Sequence, residues 1–247
     1  MKRYLVLEDG SVFAGEGFGA TVSTIGEVVF NTGMTGYQES ITDQSYANQI
    51  LVFTNPLIGN YGVNLDDLES LEPQIKGVIC RQLARRPSSW RMQDTLPHFL
   101  KQNNIPGLQG IDTRELVRQL REHGTLRGTI VDSVEQVDEV IAHLKQVQPT
   151  KRIIQKVSTK SAYPNPGTKR NIVVVDFGIK HSILRELAKR DCNVIVVPCS
   201  TTPQQIMNLN PDGVLLSNGP GDPEEMTSAV KMVAKIEQHF PLFGICM

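Results

Sequence analysis

Cysteine and long apolar runs are scarce in this sequence, and each scarcity excludes a class of protein. Four cysteines occur among 247 residues, with neither Cys-x-x-Cys nor Cys/His ligand spacing, so neither a disulfide framework nor a zinc site is predicted. No run approaches the roughly 18 apolar residues of a transmembrane helix. Too few apolar residues precede Glu8 for a signal peptide. We therefore expect a cytoplasmic protein with reduced thiols and no membrane partner.

A charge excess of either sign is also missing. Lysine and arginine number 25 against 26 acidic residues, so no overall field attracts nucleic acid, and small solutes and protein surfaces are the expected partners. Apolar residues make up 40% of the chain and charged residues 21%, which is typical of globular proteins. A length of 247 residues suggests one large or two ordinary domains.

The most informative stretch begins with the apolar run 214–216, predicted to be a buried strand. It opens into the glycine-rich run Ser217-Asn-Gly-Pro-Gly221. Gly219 and Gly221 have no Cβ, so a substrate could lie against their backbone N–H groups. The following Asp222-Pro223 has the form of a helix start, and we expect a helix from Pro223 to His239.

A second apolar run, 241–245, is predicted to be a strand that ends in Gly244-Ile245-Cys246-Met247. This pattern is typical of a nucleophile elbow, a sharp turn that exposes the nucleophile above the sheet edge, and Cys246 is the candidate nucleophile. The N–H of the next residue, Met247, helps to stabilise an oxyanion in such a turn. The alternative is an inert core cysteine, which is the commoner outcome for a Gly-x-Cys match by itself.

Upstream, residues 1–150 are predicted to form a β-rich, mixed α/β domain. Strands are expected at 2–7 and 11–13, as a hairpin, and at 27–31 and 49–54. The run from Thr32 to Tyr46 is rich in Gly, Thr and polar residues, which predicts a long polar loop with either a functional or a purely structural role. Helices are expected at 113–123, between Asp112 and Gly124, and at 135–147.

Residues 151–169 are rich in Pro, Ser, Thr and basic residues, which predicts a linker. Beyond it, strands expected at 171–176, 193–197, 214–216 and 241–245 alternate with helices at 180–190, 203–209 and 223–239. Four such strands predict a doubly wound, flavodoxin-like parallel sheet over residues 170–247, with a site at the carboxyl ends of its strands.

Both glycine-containing loops resemble those of the class I (triad) glutamine amidotransferases. Residues 26–39, the Thr42-Asp-x-Ser-Tyr46 motif and Gly59-Asn-Tyr-Gly62 narrow the resemblance to the small (glutaminase) subunit of carbamoyl phosphate synthases. Gly110–Leu116 and Arg121–Gly124 extend the resemblance through most of the first 130 residues. The resemblance implies a first domain at 1–150 and the first half of an amidotransferase domain at 170–247. A different triad amidotransferase, such as an anthranilate synthase component, leaves residues 26–62 unexplained.

The resemblance also implies chemistry. Cys246 attacks the glutamine carboxamide, the N–H groups of Gly219 and Met247 hold the oxyanion, and Ser45 and Gly221 contribute to glutamine binding. The implied partner is a large subunit that makes carbamoyl phosphate from bicarbonate and ATP, for pyrimidine and arginine biosynthesis. ATP and Mg²⁺ are expected on that subunit and no cofactor on this chain. A higher oligomer of heterodimers is implied.

The family's general base and its orienting glutamate belong to a His-Pro-Glu motif, and none of the five histidines of this sequence lies in one. The expectation is a family member cut just after its nucleophile and inactive by itself. The alternative function is a non-catalytic docking fragment of the same subunit.

Overall fold

The computed structural model describes residues 1–148, 152–222, 224 and 226–246, and its contacts divide the chain into two compact units. The first unit comprises Met1–Thr42 and Tyr46–Thr150. The second comprises Asp43–Ser45 and Lys151–Met247. Three residues that lie within the first unit in sequence therefore belong to the second unit in space, and they include the candidate site residue Ser45.

The first unit is a closed barrel of seven strands, ordered β1-β2-β8-β6-β4-β3-β9. The barrel strands are β1 (Lys2–Leu7), β2 (Val12–Gly19), β3 (Ile25–Asn31), β4 (Gln49–Phe53), β6 (Gly77–Cys80), β8 (Pro106–Gln109) and β9 (Leu126–Val131). A separate two-stranded sheet is formed by β5 (Leu57–Ile58) and β7 (Gln82–Leu83). The predicted hairpin is confirmed, since β1 and β2 pair antiparallel. β3, β4, β6 and β8 pair in parallel, so the segments that follow these strands leave from the same end of the barrel.

Alternation along the barrel strands separates two apolar clusters, because successive side chains point to opposite faces. Ile50 and Val52 of β4 join one cluster, which contains Leu116 of a neighbouring helix. Leu51 and Phe53 join the other, with Leu96. The helices that the structure describes in this unit are α1 (Tyr37–Thr42), α2 (Leu96–Gln102), α3 (Thr113–His123) and α4 (Val137–Gln146). The predicted bounds of α3 are confirmed, and the expected 135–147 helix forms as α4.

The prediction of a long polar loop over residues 32–46 is wrong. This stretch contains α1 and a 3₁₀ turn at Gln44–Tyr46, and Tyr37, Gln38 and Ile41 are buried. The Tyr37 hydroxyl donates to the Gly62 carbonyl at 2.6 Å, and the Asn64 N–H donates to Gln38 Oε1 at 3.0 Å. These polar side chains make hydrogen bonds to backbone groups inside the fold. The stretch can therefore be buried although its composition is polar.

The second unit contains a five-stranded sheet ordered β10-β12-β11-β13-β14. Its elements are α5 (Ile153–Val157), β10 (Tyr163–Asn165), β11 (Asn171–Asp176), α6 (His181–Lys189), β12 (Asn193–Pro198), α7 (Pro203–Asn208), β13 (Gly213–Leu216), α8 (Thr227–Ile236) and β14 (Leu242–Gly244). β11 to β14 pair in parallel, in the strand order of flavodoxin-like sheets, as the β/α alternation predicted. The antiparallel edge strand β10 and α5 lie in the stretch that composition indicated to be a linker.

Helices cover both faces of this sheet. Val173 and Val175 pack in one cluster with Ile206 of α7 and Met232 of α8. Val174 packs in the opposite cluster, which includes the partly buried Ile183, Leu184 and Leu187 of α6. β11 is therefore buried on both sides, which explains its continuous apolar sequence.

The last helix begins later than predicted. α8 starts at Thr227, whereas the Asp-Pro signal placed its start at Pro223, which lies outside the described residues. Asp222 instead accepts a hydrogen bond from the Glu224 N–H at 2.9 Å, two residues on. This local turn uses the Asp222 carboxylate, so Asp222 does not cap α8.

Candidate functional site

The two loops singled out by the sequence follow neighbouring parallel strands. Leu216 of β13 pairs with Gly244 of β14, and the Ile245 N–H donates to the Leu216 carbonyl at 3.0 Å. This bond continues the strand pairing to the residue before Cys246. Ser217 and Cys246 therefore begin their loops side by side at the carboxyl edge of the sheet, where doubly wound folds bind their ligands.

Cys246 leaves β14 in an unusual backbone conformation. Its φ is +70°, in the left-handed region that side chains other than glycine seldom adopt. Such strain costs about 1–3 kcal/mol and clusters at active sites. The side chain is exposed, unlike that of an inert core cysteine. Cys80 shows the opposite behaviour, because burial raises the pKa of its thiol to about 12.

The two predicted glycines, Gly219 and Gly221, differ in their exposure to solvent. Gly219 is buried within the loop, whereas Gly221 is exposed and has a φ of +90°, a conformation that favours glycine. A Cβ at Gly221 would lie 3.2 Å from Ile153 Cγ2. Met247, the other predicted oxyanion donor, lies outside the described residues.

Ser45 joins the glycine loop through Asn218, a residue that the sequence reasoning did not select. Asn218 is 3% exposed, and its Nδ2 lies 2.9 Å from Ser45 Oγ, 3.1 Å from the Gly178 carbonyl and 3.3 Å from Asp43 Oδ1. Its Oδ1 accepts from the Lys180 N–H at 3.2 Å. One buried carboxamide thus connects three segments of the second unit.

Asp43 holds Ser45 from the other side. Asp43 Oδ1 accepts from the Ser45 N–H at 2.8 Å, and Asp43 Oδ2 lies 3.0 Å from Lys180 Nζ in an ion pair. The Asp43 side chain is about nine-tenths buried and that of Lys180 about two-thirds buried. Partly buried charges of this kind are screened less by salt than surface pairs, so the pair fixes the 43–45 turn against the start of α6.

Asp176 and Ser217 fix the neighbouring loop. Asp176 Oδ1 accepts from the N–H groups of Gly178 and Ile179, both at 2.8 Å. Ser217 Oγ accepts from the Phe177 N–H at 2.9 Å and donates to the Asn218 carbonyl at 2.8 Å. Ser217 and Asn218 lie in the glycine-rich run seen in the sequence, and Asp176 and Lys180 lie at the bounds of a predicted strand and helix. Their hydrogen bonds nevertheless depend on strand order, which only the fold supplies.

A cavity of about 400 Å³ in the second unit is lined by Cys199, Gly221, Met226, Lys231 and residues around them. The predicted glutamine-binding residue Gly221 therefore borders this cavity, whereas Cys246 and Ser45 do not. Among the described residues, no group of three His, Cys, Asp or Glu side chains is arranged to hold a metal ion. Within the same part of the chain, every helix is too short or too polar to cross a membrane.

Comparison with known families matches both units. The family model described as carbamoyl-phosphate synthase small chain, CPSase domain, matches residues 5–130, and the one described as glutamine amidotransferase class-I matches residues 173–247. Among solved structures, an aminopeptidase from Aneurinibacillus sp. strain AM-1 covers 87% of this chain and 56% of its own. Its TM-score of 0.29 and its 10% identity carry no argument about fold or function.

Curated relatives match over the whole chain. It is 57% identical to the carbamoyl phosphate synthase pyrimidine-specific small chain of Lactiplantibacillus plantarum over 247 residues, which are 67% of that protein. The identity is 57% to the carbamoyl phosphate synthase small chain of Streptococcus agalactiae serotype III and 58% to that of Streptococcus pneumoniae serotype 4, with 69% and 68% of those proteins covered. With both units matched and identity of this extent, the chain belongs to the carbamoyl phosphate synthase small-chain family.

Proposed function

We propose that Cys246 is the nucleophile of a glutaminase subunit that supplies ammonia to the large subunit of a carbamoyl phosphate synthase. The observation that carries this proposal is the hydrogen bond from Ile245 to Leu216, which aligns the loop of Cys246 with the Ser217–Gly221 loop. A nucleophile beside glycine N–H groups is the arrangement that acyl transfer requires. Family membership makes glutamine the expected acyl donor.

The chemistry proceeds in two balanced steps. The Cys246 thiol gives up its proton, the thiolate attacks the carboxamide carbon of glutamine, and a tetrahedral oxyanion forms. Collapse of this oxyanion breaks the C–N bond, and the leaving nitrogen takes up the proton that the thiol gave up and departs as ammonia. Water then hydrolyses the γ-glutamyl thioester to glutamate and regenerates the thiol. The N–H groups of Gly219 and Met247 are the proposed oxyanion donors.

Ser45 is the proposed contact to the bound glutamine. Asn218 Nδ2 donates to Ser45 Oγ, so one lone pair of the hydroxyl is occupied and its own hydrogen is directed elsewhere. A hydroxyl held in this way offers its proton in one direction, which suits a polar group of the substrate. Gly221, whose conformation needs glycine, keeps the loop open for the same substrate.

The roles proposed for the two subunits rest on family membership. We propose that the large subunit binds ATP and Mg²⁺ and that this chain needs no cofactor of its own. The name of the Lactiplantibacillus plantarum relative specifies pyrimidine synthesis, and we propose that pathway for this chain, with arginine biosynthesis as a further destination of the product. Four free cysteines suit the reducing cytoplasm, which we propose as its location.

The test is Cys246→Ser in the protein as encoded by its gene, assembled with its large subunit. We expect glutamine hydrolysis and trapping of the γ-glutamyl thioester to disappear, because the hydroxyl is a far weaker nucleophile than the thiolate. Carbamoyl phosphate synthesis from free ammonia should continue, since only amide cleavage needs the thiolate. Persistent glutamine hydrolysis in the variant would refute the assignment. Cys199→Ser serves as the control and should retain glutamine hydrolysis.

A further inference from the structure

A tryptophan lies almost fully in solvent on the first unit. Trp90 is 93% exposed, and it is the one tryptophan of the sequence. Tryptophan is highly buried on average, so this degree of exposure is unusual in a folded domain. The Trp90 side chain therefore takes no part in the apolar core.

The backbone around Trp90 is held in place. The Ser88 N–H donates to the Asn60 carbonyl at 2.8 Å, and the Arg91 N–H donates to Ser89 Oγ at 3.2 Å. Arg91 Nη2 forms an ion pair with Asp67 Oδ1 at 2.9 Å. A side chain presented on an anchored segment loses little conformational entropy on binding, so it is suited to recognition.

Two further exposed apolar side chains accompany Trp90 at the end of the barrel from which the parallel strands β3, β4 and β6 exit. Met34 is 86% exposed, and Leu57 is partly exposed. Asn55 Nδ2 donates to the carbonyls of both residues, at 2.9 and 3.1 Å, and Leu57 pairs with Gln82, shortly before the Trp90 segment. We call Met34, Leu57 and Trp90 the barrel-end patch.

Exposed basic side chains lie beside this patch. Residues 81–92 contain four arginines and no acidic residue. Arg91 is paired with Asp66 and Asp67, whereas Arg81, Arg85 and Arg86 are exposed. In a two-fold contact between copies of this chain centred on the segment, Arg85 and Arg86 would face their own counterparts, and like charges oppose such an approach. The chemistry therefore fits a different protein that offers an apolar pocket edged by carboxylates.

We propose that the barrel-end patch docks on the large subunit of the synthase, with Trp90 inserted into such a pocket. The identity of the partner rests on the proposed function, whereas the location of the surface rests on the exposure, anchoring and charge described above. Tryptophan and arginine are the residue types that most often dominate binding energy at interfaces. Trp90 is the central contact, and Arg85 and Arg86 steer association.

The experiment measures the dissociation constant between this protein, expressed as its gene encodes it, and the purified large subunit. Trp90→Ala should weaken binding about thirty-fold, the loss typical of an interfacial hot spot. Leu71→Ala is the matched control, because Leu71 is also exposed, at 74%, but lies in the segment that leads to the start of β6, at the opposite end of that strand. It should leave the dissociation constant within about two-fold, because truncating a side chain outside the contact removes little binding energy.

The charge-reversal variant Arg85→Glu/Arg86→Glu should slow association and reduce its dependence on salt. Thioester formation at Cys246 is measured separately and tests the catalytic proposal. Absence of the thioester therefore cannot be confused with failure to bind the large subunit. The docking proposal is overturned if Trp90→Ala binds the large subunit as tightly as the unaltered protein. It is equally overturned if Trp90→Ala changes only self-association, or if Leu71→Ala weakens binding as much as Trp90→Ala.

Discussion

At the scale of single residues, the Asn218 carboxamide is the feature on which the candidate site depends. Its Nδ2 has two hydrogens, and Ser45, Gly178 and Asp43 all lie within hydrogen-bonding distance. A buried polar cluster of this kind is costly when one member is removed, because the remaining groups lose partners without gaining water. Asn218 is therefore a positioning residue, which acts on the substrate through Ser45.

Substitutions at Asn218 and Ser45 distinguish a residue that positions Ser45 from one that binds glutamine directly. Asn218→Ala should destabilise the second unit by about 1–3 kcal/mol and raise the KM for glutamine, because the buried Asp43 carboxylate and the Ser45 hydroxyl lose a donor. Ser45→Ala removes only one acceptor, so it should raise KM much more than it lowers kcat and cost less stability. Urea unfolding and steady-state kinetics measure the two effects. Equal loss of stability in both variants would contradict the role given to Asn218.

At the scale of elements, α3 shows how a local signal fixes a helix. Asp112 Oδ1 accepts from the N–H groups of Arg114 and Glu115, both at 3.1 Å, and Gly124 ends the helix with a φ of +83°. Leu116 and Leu120 face the core, as their spacing predicts. Every determinant of this helix lies within thirteen residues, from 112 to 124, so the sequence was enough to predict it.

The cap of α3 can be tested directly. Asp112→Ala should lower the free energy of unfolding by about 1 kcal/mol, because two N–H groups at the helix start lose their acceptor. Asp112→Asn is the control, since asparagine caps helices about as well as aspartate, and it should remain close to the unaltered protein. Denaturant titration monitored by circular dichroism measures both. An unchanged midpoint for Asp112→Ala would mean that water replaces the cap at no cost.

Other elements could not be predicted because their determinants are distant in sequence. α1 forms in a polar stretch since Gln38 and Tyr37 bond to the backbone of Asn64 and Gly62, more than twenty residues away. The candidate site shows the same limit. Cys246, Gly219, Gly221 and Ser45 could be proposed from motifs, whereas the bonds made by Asn218 appear only after β11 and β13 pair.

For the molecule as a whole, the fold class could be predicted from the sequence, but the closing of the first unit into a barrel could not. Alternating β and α patterns predicted the parallel sheet of the second unit, because each crossover is a strand, a helix and a strand that follow one another directly in the sequence. The barrel of the first unit mixes parallel and antiparallel pairs between strands far apart in the chain, such as β1 with β9. No local pattern encodes such pairing, so the sequence predicted strands there without their order.

The two units have separate apolar cores, which makes an independent prediction about unfolding. Ile79 is fully buried in a cluster of barrel residues, and Val174 is fully buried in a cluster of the sheet of the second unit. Ile79→Ala removes methyl groups from the first core at a cost of about 2–5 kcal/mol, and Val174→Ala does so in the second at a somewhat smaller cost. In scanning calorimetry of the full chain we therefore expect two transitions. Each substitution should lower one of them by several degrees and leave the other in place, because neither cluster includes residues of the other unit. A single transition that both substitutions lower equally would show that the cores melt together, and the contact-based division would then not describe the energetics.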